Sequence, residues 1–279
     1  MQANGRWIGL MAILLAPWVA EGKPHFPRFL TLDRPDARGG IELLWSQILL
    51  EDGEANSEGL EVSSRRVDIF VELGVEMPDG SRHGGYFQIA QSSFTVEGAG
   101  RSPDGATGLE LGYAYVAQRD QYEVVYRIGL APGASEDAED LAVNSITFPA
   151  RLTDLALALP DVGVVRLACS GRGQSGRLFF QLDVGLDAPK FGRNAERAPT
   201  LFRLNGGLGV QVEPLEVGLE SVNLFFLTES QEFALHTLTF GVRAALGAVR
   251  PGFGITLPLD DSLRGAINGA LQFSLGVQF

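Results

Sequence analysis

Three histidines, His25, His83 and His236, are the only imidazoles available for general-base or metal-ligand chemistry in this chain of 279 residues. His83 stands in Ser81-Arg-His-Gly-Gly-Tyr86 with Ser92 and Ser93 downstream, the residue types that a hydrolytic serine–histidine pair would need. No His-x-Ser pair occurs and no triad can be assembled, while His236 falls in an apolar run where an interfacial side chain is the simpler reading. Cys169 is the single cysteine, so a disulfide framework and a thiolate zinc site are excluded. It reads as a small buried or lipid-facing apolar residue. P-loop, EF-hand and clustered metal-ligand patterns are absent. The expectation is no catalytic residue, no metal and no cofactor.

The charged residues suggest a different chemistry. Asp68, Glu72, Glu76, Glu110, Glu123, Asp183, Glu216 and Glu220, and Arg127, Arg166, Arg177, Arg203, Arg243 and Arg250, fall on the polar parity of otherwise apolar segments. Eight acids against six bases is close to balance. Such a set either pairs across an enclosed interior and closes it, or lines a narrow polar passage with a weak preference for cations.

The elements that carry these charges have a period of two. Leu271, Phe273, Leu275, Val277 and Phe279 alternate with Ala270, Gln272, Ser274, Gly276 and Gln278. Leu178, Phe180, Leu182, Val184 and Leu186 alternate with Arg177, Gln181, Asp183 and Gly185, and the stretch from Val249 to Leu259 behaves alike. The segments 67–75, 109–117, 122–130, 163–172, 201–212 and 234–246 also have one apolar face each, which is the pattern of amphipathic strands. Residues 40–50, 84–97 and 141–158 are weaker strand candidates, and Asp137 to Ala142 could form one turn of helix. Turn chemistry at Met77-Pro-Asp-Gly80, Ser102-Pro-Asp-Gly105, Pro132-Gly-Ala-Ser135 and Arg172-Gly-Gln-Ser175 punctuates the series.

Alternation alone fits a soluble sandwich, wet outside, or a membrane barrel, polar inside. Segments of about ten or more residues, longer than the usual five or six, favour the tilted crossing of a bilayer. The fold expected is all-β, an antiparallel up-and-down transmembrane β-barrel of about 12 strands, with 10 as the alternative.

Composition limits the partners. With 34 acids, 22 bases and a net charge of −12, the chain lacks the basic patch that nucleic acid requires, and Arg65-Arg66 is its densest basic stretch. Glycine is in excess at 35 residues, against roughly 7% in an average protein, and is expected in turns and on the interior face at Gly74, Gly112, Gly129, Gly185, Gly207 and Gly254. Residues 1–22 read as a cleavable signal peptide: Arg6, an apolar stretch from Trp7 to Ala20 broken by Pro17, then Ala20-Glu21-Gly22. Residues 23–39 then form a periplasmic N-terminal segment and 40–279 a single barrel.

The decapeptide Ala270-Leu-Gln-Phe-Ser-Leu-Gly-Val-Gln-Phe279 resembles the β-signal of bacterial outer-membrane β-barrels, carried by Leu271, Phe273, Leu275, Val277 and Phe279. That resemblance implies an outer-membrane location, contact with outer-membrane lipid, and recognition of the C-terminal strand by the barrel-assembly machinery. A narrower resemblance lies in the last 80 or so residues, where the hairpins Gly206 to Leu219 and Leu238 to Leu259 are similar to those of outer-membrane transporters of the meta-pathway phenol-degradation type. It implies passive, porin-like passage of a small apolar or aromatic solute. The alternatives are a closed structural or adhesive barrel, an outer-membrane lipid hydrolase, or a soluble secreted β-protein.

Counting back from Phe279 on the periplasmic side makes Asp260–Gly269, Glu229–Gln231 and Ala188–Pro199 outer loops, with Gly247-Ala248 and Glu213-Pro214 as inner turns. The same count puts the long acidic stretch Pro132–Asp140 inside, against the rule of long loops outside and short turns inside.

Overall fold

The computed structural model describes residues 29–30, 32, 37–50, 62–96, 107–118, 122–133, 147–159, 161–227, 234–264 and 267–279. The expected signal peptide, the helical turn at Asp137 to Ala142 and the loop residues Glu229–Gln231 lie outside the described residues.

Alternating residues form twelve strands, β1 (Gly40–Leu50), β2 (Val62–Glu76), β3 (Arg82–Val96), β4 (Thr107–Gln118), β5 (Tyr122–Ala131), β6 (Gly163–Ser175), β7 (Leu178–Phe191), β8 (Thr200–Val212), β9 (Leu215–Leu227), β10 (Ala234–Ala244), β11 (Val249–Pro258) and β12 (Ile267–Gln278). Each pairs antiparallel with its neighbours in sequence, and β1 pairs with β12 to close the barrel, with Leu43 opposite Leu275 and Trp45 opposite Phe273. Closure leaves no open sheet edge.

Period-two patterning sorts the two faces. On β7, Leu178, Phe180, Leu182 and Val184 point outward and are exposed, while Phe179, Gln181 and Asp183 point inward and are buried. On β12, Phe273 and Leu275 are exposed and Gln272 and Ser274 are buried, and Phe279, just past the strand, is exposed. Cys169 is exposed on the outer face of β6. An apolar exterior around a polar interior inverts the soluble sandwich.

The two rims differ. Short connections 77–81, 119–121, 176–177, 213–214 and 245–248 gather at the rim where β1 starts and β12 ends, and the longer connections gather at the other. This resolves the inconsistent loop. Residues 141–158 supply no strand among the described residues; instead a 3₁₀ segment (Phe148–Asp154) runs into the short helix α1 (Leu155–Ala158). With that candidate removed, the connection that begins at Pro132 falls on the long-connection rim and the rule holds. On the same rim, α2 (Asp261–Arg264) bridges β11 and β12. The weaker candidate 40–50 is β1, and 84–96 of the candidate 84–97 lies in β3; the apolar run of β1 lacks clear alternation because it buries Leu44 and Ile48 inside as well.

Candidate functional site: the barrel lumen

The lumen is crossed by the β5–β6 segment, residues 147–158. Its short apolar turn reaches both walls: Leu152, Leu155 and Ala158 pack with Leu201, Val222, Leu224 and Leu235 of β8–β10, and Ala156 and Leu157 pack with Ala90, Ala131 and Val164. Gly108 leaves the space that Leu157 fills. Ala150 rests against Ile48, Ile267 and Ala270, and its carbonyl accepts a hydrogen bond from Gln272 Nε2 at 2.5 Å. Thr147 Oγ1 donates to Ser92 Oγ at 2.7 Å.

Polar anchors complete the crossing. Asp154 accepts from Gln88 Nε2 at 2.7 Å and from Arg66 at 3.3 Å, and lies 2.9 Å from Arg151 Nε. Arg66, only 2% exposed, also grips Asp68 with bonds of 2.8–3.2 Å. Arg166 donates to the Thr153 carbonyl and to Glu110, and reaches Asp187 at 3.2 Å; Arg203 meets the same Asp187 oxygen at 3.0 Å. Burial pushes the Asp154 carboxyl up, but Arg151, Arg66 and Arg166 override it and hold the group near pKa 2. The segment is thus tied to β2, β3 and β6 by a closed set of charges.

Nearer the short-turn rim the charges pair around the wall. Glu123 receives Arg82 at 2.8 Å, Arg172 at 3.4 Å and Arg38 at 3.4 Å, Arg243 pairs with Glu42, and Arg250 reaches Glu216 at 3.2 Å. Glu72, Asp183 and Glu220 are buried, with Gln181 donating to Asp183 at 2.8 Å, and Arg127 is half-buried on the inner face of β5. Tyr86 donates to Glu110 at 2.6 Å over the space left by Gly112 and Gly129.

Two expectations are corrected. Arg177 is not a lumen residue: it stands exposed in the turn at 176–177, because β7 begins at Leu178. Glu76 sits exposed at the last position of β2. Reading the strands too short also missed Arg66, Arg82 and Asp187, and the unclear alternation of 40–50 hid Glu42; all four share the inward parity of their neighbours. The parity of 163–172 pointed to Arg172 as well. Asp154 and Arg151 carried no signal, since their segment has no period of two.

The residues expected in a periplasmic segment also contribute to the interior. Phe29, Leu30 and Leu32 are buried inside the barrel, and Ala37 fits against Gly84. The Phe29 ring lies 5.1 Å from that of Phe179. The Leu30 N–H donates to Glu220 Oε1 at 2.8 Å. One apolar cluster therefore runs along the β7–β10 wall from Leu263 in α2, at the long-connection rim, through Leu235, Leu224 and Leu201 to Phe29 and Phe179 beside the short turns.

The fold is that of outer-membrane barrels. It is similar to the KdgM porin, with 9% identity and a TM-score of 0.51 over 85% of this chain and 99% of that one. It is also similar to the COG4313 outer membrane channel from Pseudomonas putida F1, with 12% identity and a TM-score of 0.56 over 89% of this chain and 100% of that one. No family model and no curated protein matches the sequence. Identities at this level speak to the fold alone.

Both histidines among the described residues, His83 and His236, face outward. His83 lies beside the Tyr115 ring at 4.9 Å and its Nδ1 pairs with the Tyr113 hydroxyl, whereas Ser92 is buried on the opposite face of β3. His236 Nδ1 meets Asn223 Oδ1 at 2.9 Å. Asn223 Nδ2 donates to the Leu204 carbonyl at 2.7 Å and to Ser221 Oγ at 3.2 Å, and Asn205 Oδ1 accepts the Asn223 N–H at 3.1 Å. Side-chain amides thereby replace main-chain pairing at Leu204 and Asn205, where the β8–β9 ladder is interrupted.

Proposed function

We propose that the protein is a channel-like barrel of the bacterial outer membrane, exported by a signal peptide at residues 1–22, through which small solutes diffuse without cofactor or energy coupling. The observation that carries this reading is the inverted patterning of the strands: apolar side chains face out around the closed sheet, and a polar, charge-balanced interior lies between two unlike rims. The apolar cluster from Leu263 to Phe179 favours an apolar or aromatic solute, which would slide along the β7–β10 wall past the ion pairs of the opposite wall. With residues 147–158 across the lumen, passage requires that segment to shift, so conductance is expected as brief openings.

Purified full-length protein should migrate faster unboiled than boiled on gels of outer-membrane fractions, and should give discrete current steps in planar bilayers. A folded, heat-modifiable barrel with no current, including in a variant that frees the 147–158 segment, would overturn the channel reading in favour of a closed structural or adhesive barrel. The C-terminal strand, with Leu271, Phe273, Leu275, Val277 and Phe279 outward, is the proposed signal to the assembly machinery. Deleting Phe279 should lower the amount of assembled barrel without altering export; unchanged assembly would remove that claim.

A lipid hydrolase has one observation in its favour, the outward His236–Asn223 pair with Ser221 nearby. The Ser221 hydroxyl, however, is engaged by the Asn223 amide rather than by the imidazole, so the pair lacks an activated nucleophile. The channel reading is preferred.

A further inference from the structure

We propose that residues 191–198, the end of β7 and the connection after it, are a clasp on the stem of the lumen-crossing segment: an exposed latch that holds residues 147–158 in place and lets go when its ion pair is broken. The clasp is defined by contacts alone, while its use as a latch rests on the channel reading.

The lumen-crossing segment returns to the wall through Asp161 and Val162, which lead into β6. Asp161 takes a left-handed backbone conformation, φ +49°, one of two non-glycine residues among those described to do so. Such a conformation persists where its surroundings hold it, and it recurs in switch regions. Here the surroundings are the β7–β8 connection. The Arg193 main-chain N–H and its Nε both donate to Asp161 Oδ2, at 3.0 and 2.9 Å, and the Asn194 N–H donates to the Asp161 carbonyl at 3.4 Å. Gly192, at φ +96°, brings its backbone so close to that carbonyl that a Cβ would collide with it. The Phe191 ring occupies the place a side chain at residue 163 would take, where the β6–β7 register shifts. Ala198 closes the far side against the Ala156, Leu157 and Val162 cluster. One loop thus grips the stem by charge, backbone and apolar contact together.

The place of the clasp decides what can open it. It stands at the long-connection rim, and the Arg193 side chain is 74% exposed against 22% for Asp161. An ion pair so exposed is individually weak and is weakened further by salt. The Asp154 pairs with Arg66 and Arg151 are buried and screened far less. The segment therefore has one fastening that the medium reaches and one that it does not. Opening the first frees the Asp161 backbone to leave the left-handed region, and rotation there re-aims the chain upstream, beginning with α1.

The experiment follows amide hydrogen exchange of the full chain in lipid nanodiscs. Arg193→Ala removes the side-chain bond, whereas Gly192→Val prises the clasp apart by bulk and leaves its charges in place. Each should speed exchange at Leu155–Ala158, Asp161 and Val162 about fivefold or more, with β9 and β10 as in the wild type. Salt supplies a readout that lost packing alone would not move. Raising it from about 0.05 M to about 1 M should speed the same amides about twofold in the wild type and leave Arg193→Ala unchanged. Stem exchange unchanged in both variants, a rise shared equally by β9 and β10, or an Arg193→Ala protein that keeps the full salt response overturns the inference. In planar bilayers both variants should open about fivefold more often than the wild type. A loosened stem without current in any variant removes the channel and keeps the clasp; current with stem exchange unchanged by both variants removes the clasp and keeps the channel.

Discussion

Phe29–Leu30 and the β5–β6 segment both fill the lumen, but they are held by opposite means. The N-terminal pair sits in a glycine-floored trough, with ring and methyl contacts and one charge-assisted hydrogen bond to Glu220. The segment 147–158 is gripped by Arg66, Arg166, Gln88 and Gln272 of the wall, each bonded to its carboxylate or its carbonyls, with Arg151 of the segment itself paired to Asp154. Apolar contacts are non-directional and fade gradually as a group slides out. A buried ion-pair network fails abruptly, because removing one member strands the others in a low-dielectric interior. The first arrangement loosens gradually; the second suits a part that moves as a unit or not at all.

The largest effect is expected from Asp154→Ala. It leaves Arg66 and Arg151 without the carboxylate they share and should cost about 3–5 kcal/mol of seating energy. Amide hydrogen exchange should show protection of residues 147–158 falling by about two orders of magnitude or more, with Leu30 unaffected. Equal loss at both places would mean that the two occupants are one unit.

A smaller effect, in the converse direction, is expected from Gly218→Val. Its new side chain would collide with the Phe29 ring, and overpacking of this kind costs about 1–3 kcal/mol. Exposure of residue 29 should rise while protection of 147–158 persists.

The smallest effect is that of acid. Because the Asp154 pKa is depressed from 3.8 to about 2, its stabilisation is complete above pH ~4 and is lost as pH falls toward 2, by about 1 kcal/mol at pH 3. Seating of 147–158 should therefore be flat from neutral pH to about 4 and loosen below it. A change between pH 5 and 7 would assign the anchoring to another group. The Phe29 ring packs on glycine and Phe179, so it should respond to Gly218→Val alike at pH 7 and pH 4.

Much of this molecule was legible in one dimension. Alternation in 67–75, 178–186, 249–259 and 270–279 told inside from outside, because a strand presents successive side chains to opposite faces and a closed sheet has only two. Asp68, Glu110, Arg166 and Arg203 could be placed inward by parity without coordinates. Where strand ends were drawn short, at Arg66, Arg82 and Asp187, the same rule was available and unused. The strand candidate at 141–158 failed for a physical reason: an apolar segment inside a lumen is wetted on neither side, so it needs no period at all.

By itself, then, the sequence determined the wall: the strand period, the apolar exterior, the polar interior and the turns between. The tertiary structure alone decided what fills the wall and which charges meet. Asp154 finds Arg66 across 88 residues and Leu30 finds Glu220 across 190. Pairings at such separations are fixed by closure of the sheet and the shape of its interior, which a local pattern does not encode.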